Sequence, residues 1–249
     1  MFASRVCAGF ILVLCTLSLA ACQTVGVDKS QIILDTLHQS AAEAETAGDY
    51  KTAVQQYQNL YARDPSNSYL RLGLSRNLRY SGAAKNAIKL LESAKPDSKF
   101  EMAHMIELGK AKLAAGHTDD AIEILNQAAQ KNLKNWEVRS ALGIAYDLGE
   151  NYPAARDAYK AAMALSPQNP IILNNYALSV ASSGDLDGAI KMLKNAPRLV
   201  RHNPQIRQNL AMLYGIKGDL KSAQALGRMD LDEDVVQKNL LIYSQLGRK

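Results

Sequence analysis

Aromatic residues are scarce: three Phe, one Trp and eleven Tyr make up 6% of the 249 residues. A β-sandwich draws on aromatic and β-branched side chains. This composition argues instead for closely packed helices built from Ala, Leu and Ile. Cysteine is scarcer still. Cys7, Cys15 and Cys22 are too few for a disulfide framework or a thiolate metal site. Seven Pro and 15 Gly are too few for a disordered chain. The four histidines, His38, His104, His117 and His202, share no spacing, whereas a metal site needs several converging ligands. The chain has no H-E-x-x-H, C-x-x-C, G-x-x-x-x-G-K or S-x-x-K, so none of these catalytic signatures is available. Gly73-Leu74-Ser75-Arg76-Asn77 misses the nucleophile-elbow pattern by one residue and lies within a helical stretch, not at a strand-to-helix turn. The expectation is a protein that is not an enzyme, with no catalytic residue, no metal and no small-molecule substrate.

A basic stripe is also missing. The net charge is +5, but lysines and arginines are scattered among acids. Nucleic-acid binding favours a basic groove with interleaved aromatics, so nucleic acid is not expected as a partner.

What is present begins at the N-terminus. Met1 to Arg5 is short and carries one positive charge, and Val6 to Ala21 is uncharged and mostly apolar. A basic start, an apolar core and small residues before a cut read as a secretory signal. The apolar run falls short of the roughly 20 residues that span a bilayer as a helix, although an uncleaved anchor helix is the alternative. Leu19-Ala20-Ala21-Cys22 resembles the bacterial lipobox. That resemblance implies removal of 1–21 and acylation of Cys22, the one cysteine left after the cut. The alternative is an ordinary signal peptide whose cut precedes a cysteine. Two acyl chains anchor a protein stably where one does not. Gln23 stands where Asp favours inner-membrane retention, so the pattern implies the outer membrane, facing the periplasm. The only cofactor expected is the covalent lipid on Cys22, followed by a linker to residue 33.

The rest of the chain repeats. Ala53, Ala87, Ala121, Ala155, Ala189 and Ala223 are each 34 residues apart. Five residues before them stand Gly48, Gly82, Gly116, Glu150, Gly184 and Gly218. The windows are 34–67, 68–101, 102–135, 136–169, 170–203 and 204–237. The fourth reads Leu142-Gly143-x-x-Tyr146, Ala155-x-x-x-Tyr159 and Pro167, which resembles the tetratricopeptide (TPR) signature. Arg139 stands where that signature has Trp. The resemblance implies an all-α, right-handed superhelical solenoid of about six helix-turn-helix repeats over 34–230, with a capping helix over 231–249. The junction Gly suits a left-handed helix end, and Asp49, Asp185 and Asp219 follow it as N-caps of helix B. The recurrent Ala marks close approach of the two helices. Pro96 predicts a shortened helix B in the second repeat. Val236, Leu240 and Tyr243 share the face of the last helix that would close the open end.

In TPR proteins, helix A of each repeat lines a concave groove at repeat positions 2, 5, 6, 9 and 12. Mapped here, these are Tyr69, Arg76 and Arg79 in the second repeat, Glu107 and Lys110 in the third, Asn174 and Asn175 in the fifth, and Gln208, Asn209 and Met212 in the sixth. The basic end suits an acidic group or a C-terminal carboxylate, and the amide end suits the backbone of an extended peptide. The alternative for each residue is an ordinary solvated helix position. The Lys and Asn set of chaperone-binding carboxylate clamps does not recur.

A lipobox, six such repeats and a short capping tail resemble the TPR lipoproteins of tight-adherence (Flp) pilus loci, the TadD-like group. They are related in architecture to the pilotins of type IVa pili. Leu231, Val236, Asn239-Leu240 and Tyr243 favour the first. The resemblance implies a lipid-anchored interaction scaffold that helps an outer-membrane secretin, or another pilus or secretion component, assemble. The alternative is a periplasmic adaptor for cell-wall synthesis or outer-membrane protein assembly.

Overall fold

A computed structural model of the chain describes residues 29–247. Leu19, Ala20, Ala21 and Cys22, with the expectations of cleavage and lipidation, lie outside the described residues. Fourteen α-helices and no strands are found among the described residues.

The helices come in antiparallel pairs. α1 (Lys29–Thr46) packs on α2 (Tyr50–Arg63), α3 (Ser68–Tyr80) on α4 (Ala84–Glu92), α5 (Glu101–Ala114) on α6 (Thr118–Lys131) and α7 (Trp136–Leu148) on α8 (Tyr152–Leu165). α9 (Pro170–Ser182) packs on α10 (Leu186–Lys194), and a one-turn α11 (Arg198–Arg201) leads to α12 (Pro204–Ile216), which packs on α13 (Leu220–Gly227). α14 (Glu233–Leu246) lies against both α12 and α13. The first helices also touch in series, α3 on α5, α5 on α7, α7 on α9 and α9 on α12, which makes a stack of pairs, each resting on its neighbours. α1 begins at Lys29, ahead of the expected start at residue 34, because nothing in Lys29-Ser30-Gln31 stops a helix.

Local sequence explains the pairing. Gly48, Gly82, Gly116, Gly184 and Gly218 all take positive φ, between 75° and 97°, where glycine meets no Cβ penalty. Asp49, Asp185 and Asp219 accept from the backbone N–H groups of Thr52, Gly188 and Ser222, capping α2, α10 and α13. A second capping series was not foreseen. Asn67, Asn135, Asn169 and Asn203 cap α3, α7, α9 and α12 through their side chains. The six recurrent alanines are buried between the paired helices. The first helices carry another small series at the same spacing, Ala41, Ser75, Gly109, Gly143, Ala177 and Ala211. A Cβ on Gly143 would sit 2.5 Å from the Tyr159 ring, so nothing larger fits there.

The second helices differ in length. α2, α6 and α8 have 14 residues, whereas α4, as Pro96 predicts, and α10 have 9 and α13 has 8. Pro96 follows α4 and Pro197 follows α10, and the residue before a proline is pushed out of helix. The core divides into three buried clusters, around Leu60 and Leu91, around Leu125 and Val138, and around Leu193 and Leu213. At the C-terminal end Val236 is buried against Gly227, and Tyr243 presses on Gly215.

Candidate recognition groove along the first helices

Because α3, α5 and α7 stack side by side, their repeat positions 2, 5, 6 and 9 line one surface. Leu72, Arg76, Ala103, Ile106, Glu107 and Lys110, with Glu137 at the far wall, enclose a cleft of about 270 Å³. Its floor is aliphatic. Leu72, Ala103, Ile106 and Glu137 were not singled out from the sequence, although the position rule covers them.

The basic end is neutralised from within the chain. Arg76 pairs with Glu45 of the preceding repeat, with Nη2 3.1 Å from Oε2. Burial pushes the Glu45 carboxyl up, but the hydrogen bonds and charge of Arg76 outweigh this and hold it below its usual value. Arg79 makes a fork to Glu107 of the next repeat, at 2.7 and 3.2 Å. Both side chains are nearly buried, 12% and 9% exposed. Arg79 also lies 4.1 Å over the Tyr80 ring. Arg79 is therefore committed within the chain, since a nearly buried guanidinium keeps the carboxylate already beside it, whereas Arg76, 40% exposed, pairs with Glu45 and still borders the cleft. Lys110 forms no ion pair among the described residues, and Tyr69 is half exposed.

The amide end is divided. Asn209 Nδ2 donates to Asn174 Oδ1, joining α12 to α9, and Asn174 is buried. Asn175 is half-buried. Gln208 donates to Asp230 at 3.0 Å and lies against α14 with Val236 and Tyr243, so it belongs to the closed end of the stack and not to the groove. Met212 packs against the C-terminal core cluster.

One polar junction went unremarked in the sequence. Asp147 accepts from Ser179 Oγ at 2.6 Å and Tyr159 Oη at 2.9 Å, tying α7 to α9 and α8. Burial raises the Asp147 carboxyl above its usual value against these two bonds. Among the described residues no three His, Cys, Asp or Glu side chains gather as a metal site, and no helix is long and apolar enough to cross a membrane.

The helix pairs, their junction glycines and the groove define a tetratricopeptide-repeat solenoid. Two tetratricopeptide-repeat family models match, over residues 106–170 and 148–213. The crystal structure of a thermophilic TPR protein in Thermus thermophilus superposes with a TM-score of 0.65 over 72% of this chain and 98% of that one, at 18% identity. The TPR repeat-containing thioredoxin TTL4 of Arabidopsis thaliana is 33% identical over 107 residues, 43% of this chain and 16% of its own. The BBSome complex member BBS4 of Mus musculus is 26% identical over 138 residues, 55% of this chain and 26% of its own. The chain thus spans only about a quarter of the second relative's length and about a sixth of the first's. Stacked repeats of this kind expose an extended concave surface that holds protein segments, so the chain is a protein–protein interaction scaffold.

Proposed function

We propose that the protein is a lipid-anchored, non-enzymatic scaffold whose groove holds a segment of an outer-membrane secretin or another pilus or secretion component. The observation that carries this reading is the cleft between α3, α5 and α7. It has an aliphatic floor, an uncommitted Lys110 and an exposed Glu137 at its edges. An extended peptide places alternate side chains on such a floor, and charges at the rim fix its register. Acylation of Cys22 would confine the groove to the membrane surface. Joining the two attachments raises the effective concentration of the scaffold at its partner without a new contact.

The test is co-purification from gently solubilised envelopes. Tagged wild type is compared with Cys22→Ser and with the groove variant Lys110→Glu, Glu137→Lys. A secretin recovered with wild type and depleted in both variants supports the reading. Recovery of cell-wall synthases or outer-membrane assembly factors in its place keeps the anchored scaffold and overturns the pilus assignment. Recovery unchanged by the groove variant overturns the groove.

A further inference from the structure

A second concavity, larger than the cleft between α3, α5 and α7, lies elsewhere. It is a pocket of about 590 Å³ on the side of the second helices, between the end of α10, α11, α12 and α13. Its origin is the shortened fifth repeat. α10 stops at Lys194, five residues short of α2, α6 or α8 (14 − 9). At 1.5 Å of rise per residue, about 7 Å of helix is missing beside α12. Over a buried floor of Leu193, Ile206 and Leu210, the apolar side chains of Tyr214, Leu226 and Met229 are left at the pocket's open walls.

The second repeat has the same deficit and closes it. There Arg71 is buried, and its Nη2 donates to Lys95 O and Ser68 Oγ, each at 3.1 Å. Ser68 Oγ also accepts from Asp97 N at 3.0 Å. These bonds fasten the loop after α4, and Phe100 packs on the core beside it. The residue at the place of Arg71 in the fifth repeat is Leu173, which has no side-chain donor. Val200 of α11 turns inward, but the pocket remains.

Its rim is basic. Lys194, Arg198 and Arg201 are exposed, and none pairs with a carboxylate among the described residues. Arg207 also borders the pocket, but Asp230 neutralises it. No acidic residue lines the opening. The volume falls within the roughly 300–1,000 Å³ of ordinary ligand sites. The floor is recessed below the charges, so a flat lipid surface does not reach it, whereas side chains projecting from a helix do.

We propose that this pocket is a second docking site, for a short helical segment of a partner protein with apolar side chains on one face and carboxylates flanking them. The helix takes the place that the truncated α10 leaves open, and its carboxylates meet Lys194, Arg198 and Arg201. Such helix-in-groove recognition uses apolar anchors at i, i+3, i+4 and i+7.

The experiment measures fluorescence anisotropy with the full chain. The probe is a labelled peptide with Leu at those anchor spacings and Glu elsewhere, set against its Leu/Lys counterpart and against phosphatidylglycerol vesicles. The Leu/Glu peptide binds, and binding weakens with added salt. Arg198→Glu with Arg201→Glu weakens it by roughly tenfold or more, since two charge pairs are inverted. Both positions are exposed, so the fold is retained. Ala225→Trp, also at an exposed position, fills the pocket and weakens binding without a change of charge. Lys110→Glu, in the groove of the first helices, leaves it unchanged, which separates this site from that one. No binding of the Leu/Glu peptide, equal binding of the Leu/Lys peptide, or insensitivity to both pocket variants overturns the proposal. Vesicle binding that is lost in the Arg198→Glu, Arg201→Glu variant while the peptide does not bind assigns the rim to a membrane instead.

Discussion

Five of the six junctions between paired helices hold glycine at positive φ, and the fourth holds Glu150 at φ 56°. A side chain in that region costs about 1–2 kcal/mol, and glycine returns part of this as unfolded-state entropy. Glu150→Gly should therefore stabilise the chain by about 0.5–1 kcal/mol, read as a raised urea midpoint. An unchanged or lowered midpoint means that Glu150 makes a compensating interaction. Ala155 is fully buried between α7 and α8. Ala155→Leu should cost roughly 1–3 kcal/mol by overpacking, and a wild-type midpoint would show that the helices part without loss. These positions were legible in the sequence because the 34-residue period marks them six times over. The asparagine caps and the second small series carry the same period. They were passed over because the Asn is interrupted by Glu101 and the small series mixes Ala, Ser and Gly.

Between elements, the polar side chains of the groove do two jobs that sequence position does not separate. Arg76, Arg79, Asn174 and Asp147 each bond to a neighbouring repeat, across 28 to 35 residues of chain. A position rule names which residues face the groove. It is blind to a partner one repeat away, and so it offered Arg79 as a recognition residue. Glu107→Ala strands a nearly buried guanidinium and should cost about 3 kcal/mol or more. Arg79→Met with Glu107→Leu should recover most of that loss, since apolar groups of similar volume replace a buried pair at little cost. A double variant as unstable as the single one would show that the fork itself supplies net stability. Asp147 yields a pH signature. Its carboxyl is raised above its unfolded value of 3.8, with burial as the largest cause. The folded state therefore holds this proton more tightly. The stabilisation is fully present below the unfolded value and fades as pH rises through the folded one. Asp147→Asn keeps one oxygen acceptor, and its amide N–H donates to the other hydroxyl, without the charge. At about pH 7 the variant should be at least as stable as wild type, and wild type should gain on it as pH falls through the folded value toward the unfolded one. A midpoint difference independent of pH contradicts this assignment.

At the scale of the whole stack, the described residues share no single core. The buried residues form three clusters along the stack: one from Ala41 to Ala111, one from Ile106 to Ala145 and one from Leu173 to Leu213. Each repeat touches only its neighbours, so stability is a sum of repeat terms and interface terms, and a local loss need not spread. The closed end limits fraying, since α14 covers α12 and α13 with Val236 and Tyr243. Ala53→Leu, in the first of these clusters, tests this directly by hydrogen exchange read along the chain. Ala53 is fully buried between α1 and α2. Overpacking there should speed exchange in α1 to α4, while α9 to α13 keep their wild-type protection. Ala189→Leu, at the same repeat position but in the third cluster, should reverse the pattern. It should also open the floor of the basic-rimmed pocket, which includes Leu193. Faster exchange throughout the chain in both variants would mean that the interfaces between repeats are stronger than the repeats themselves, and that the solenoid unfolds as one unit.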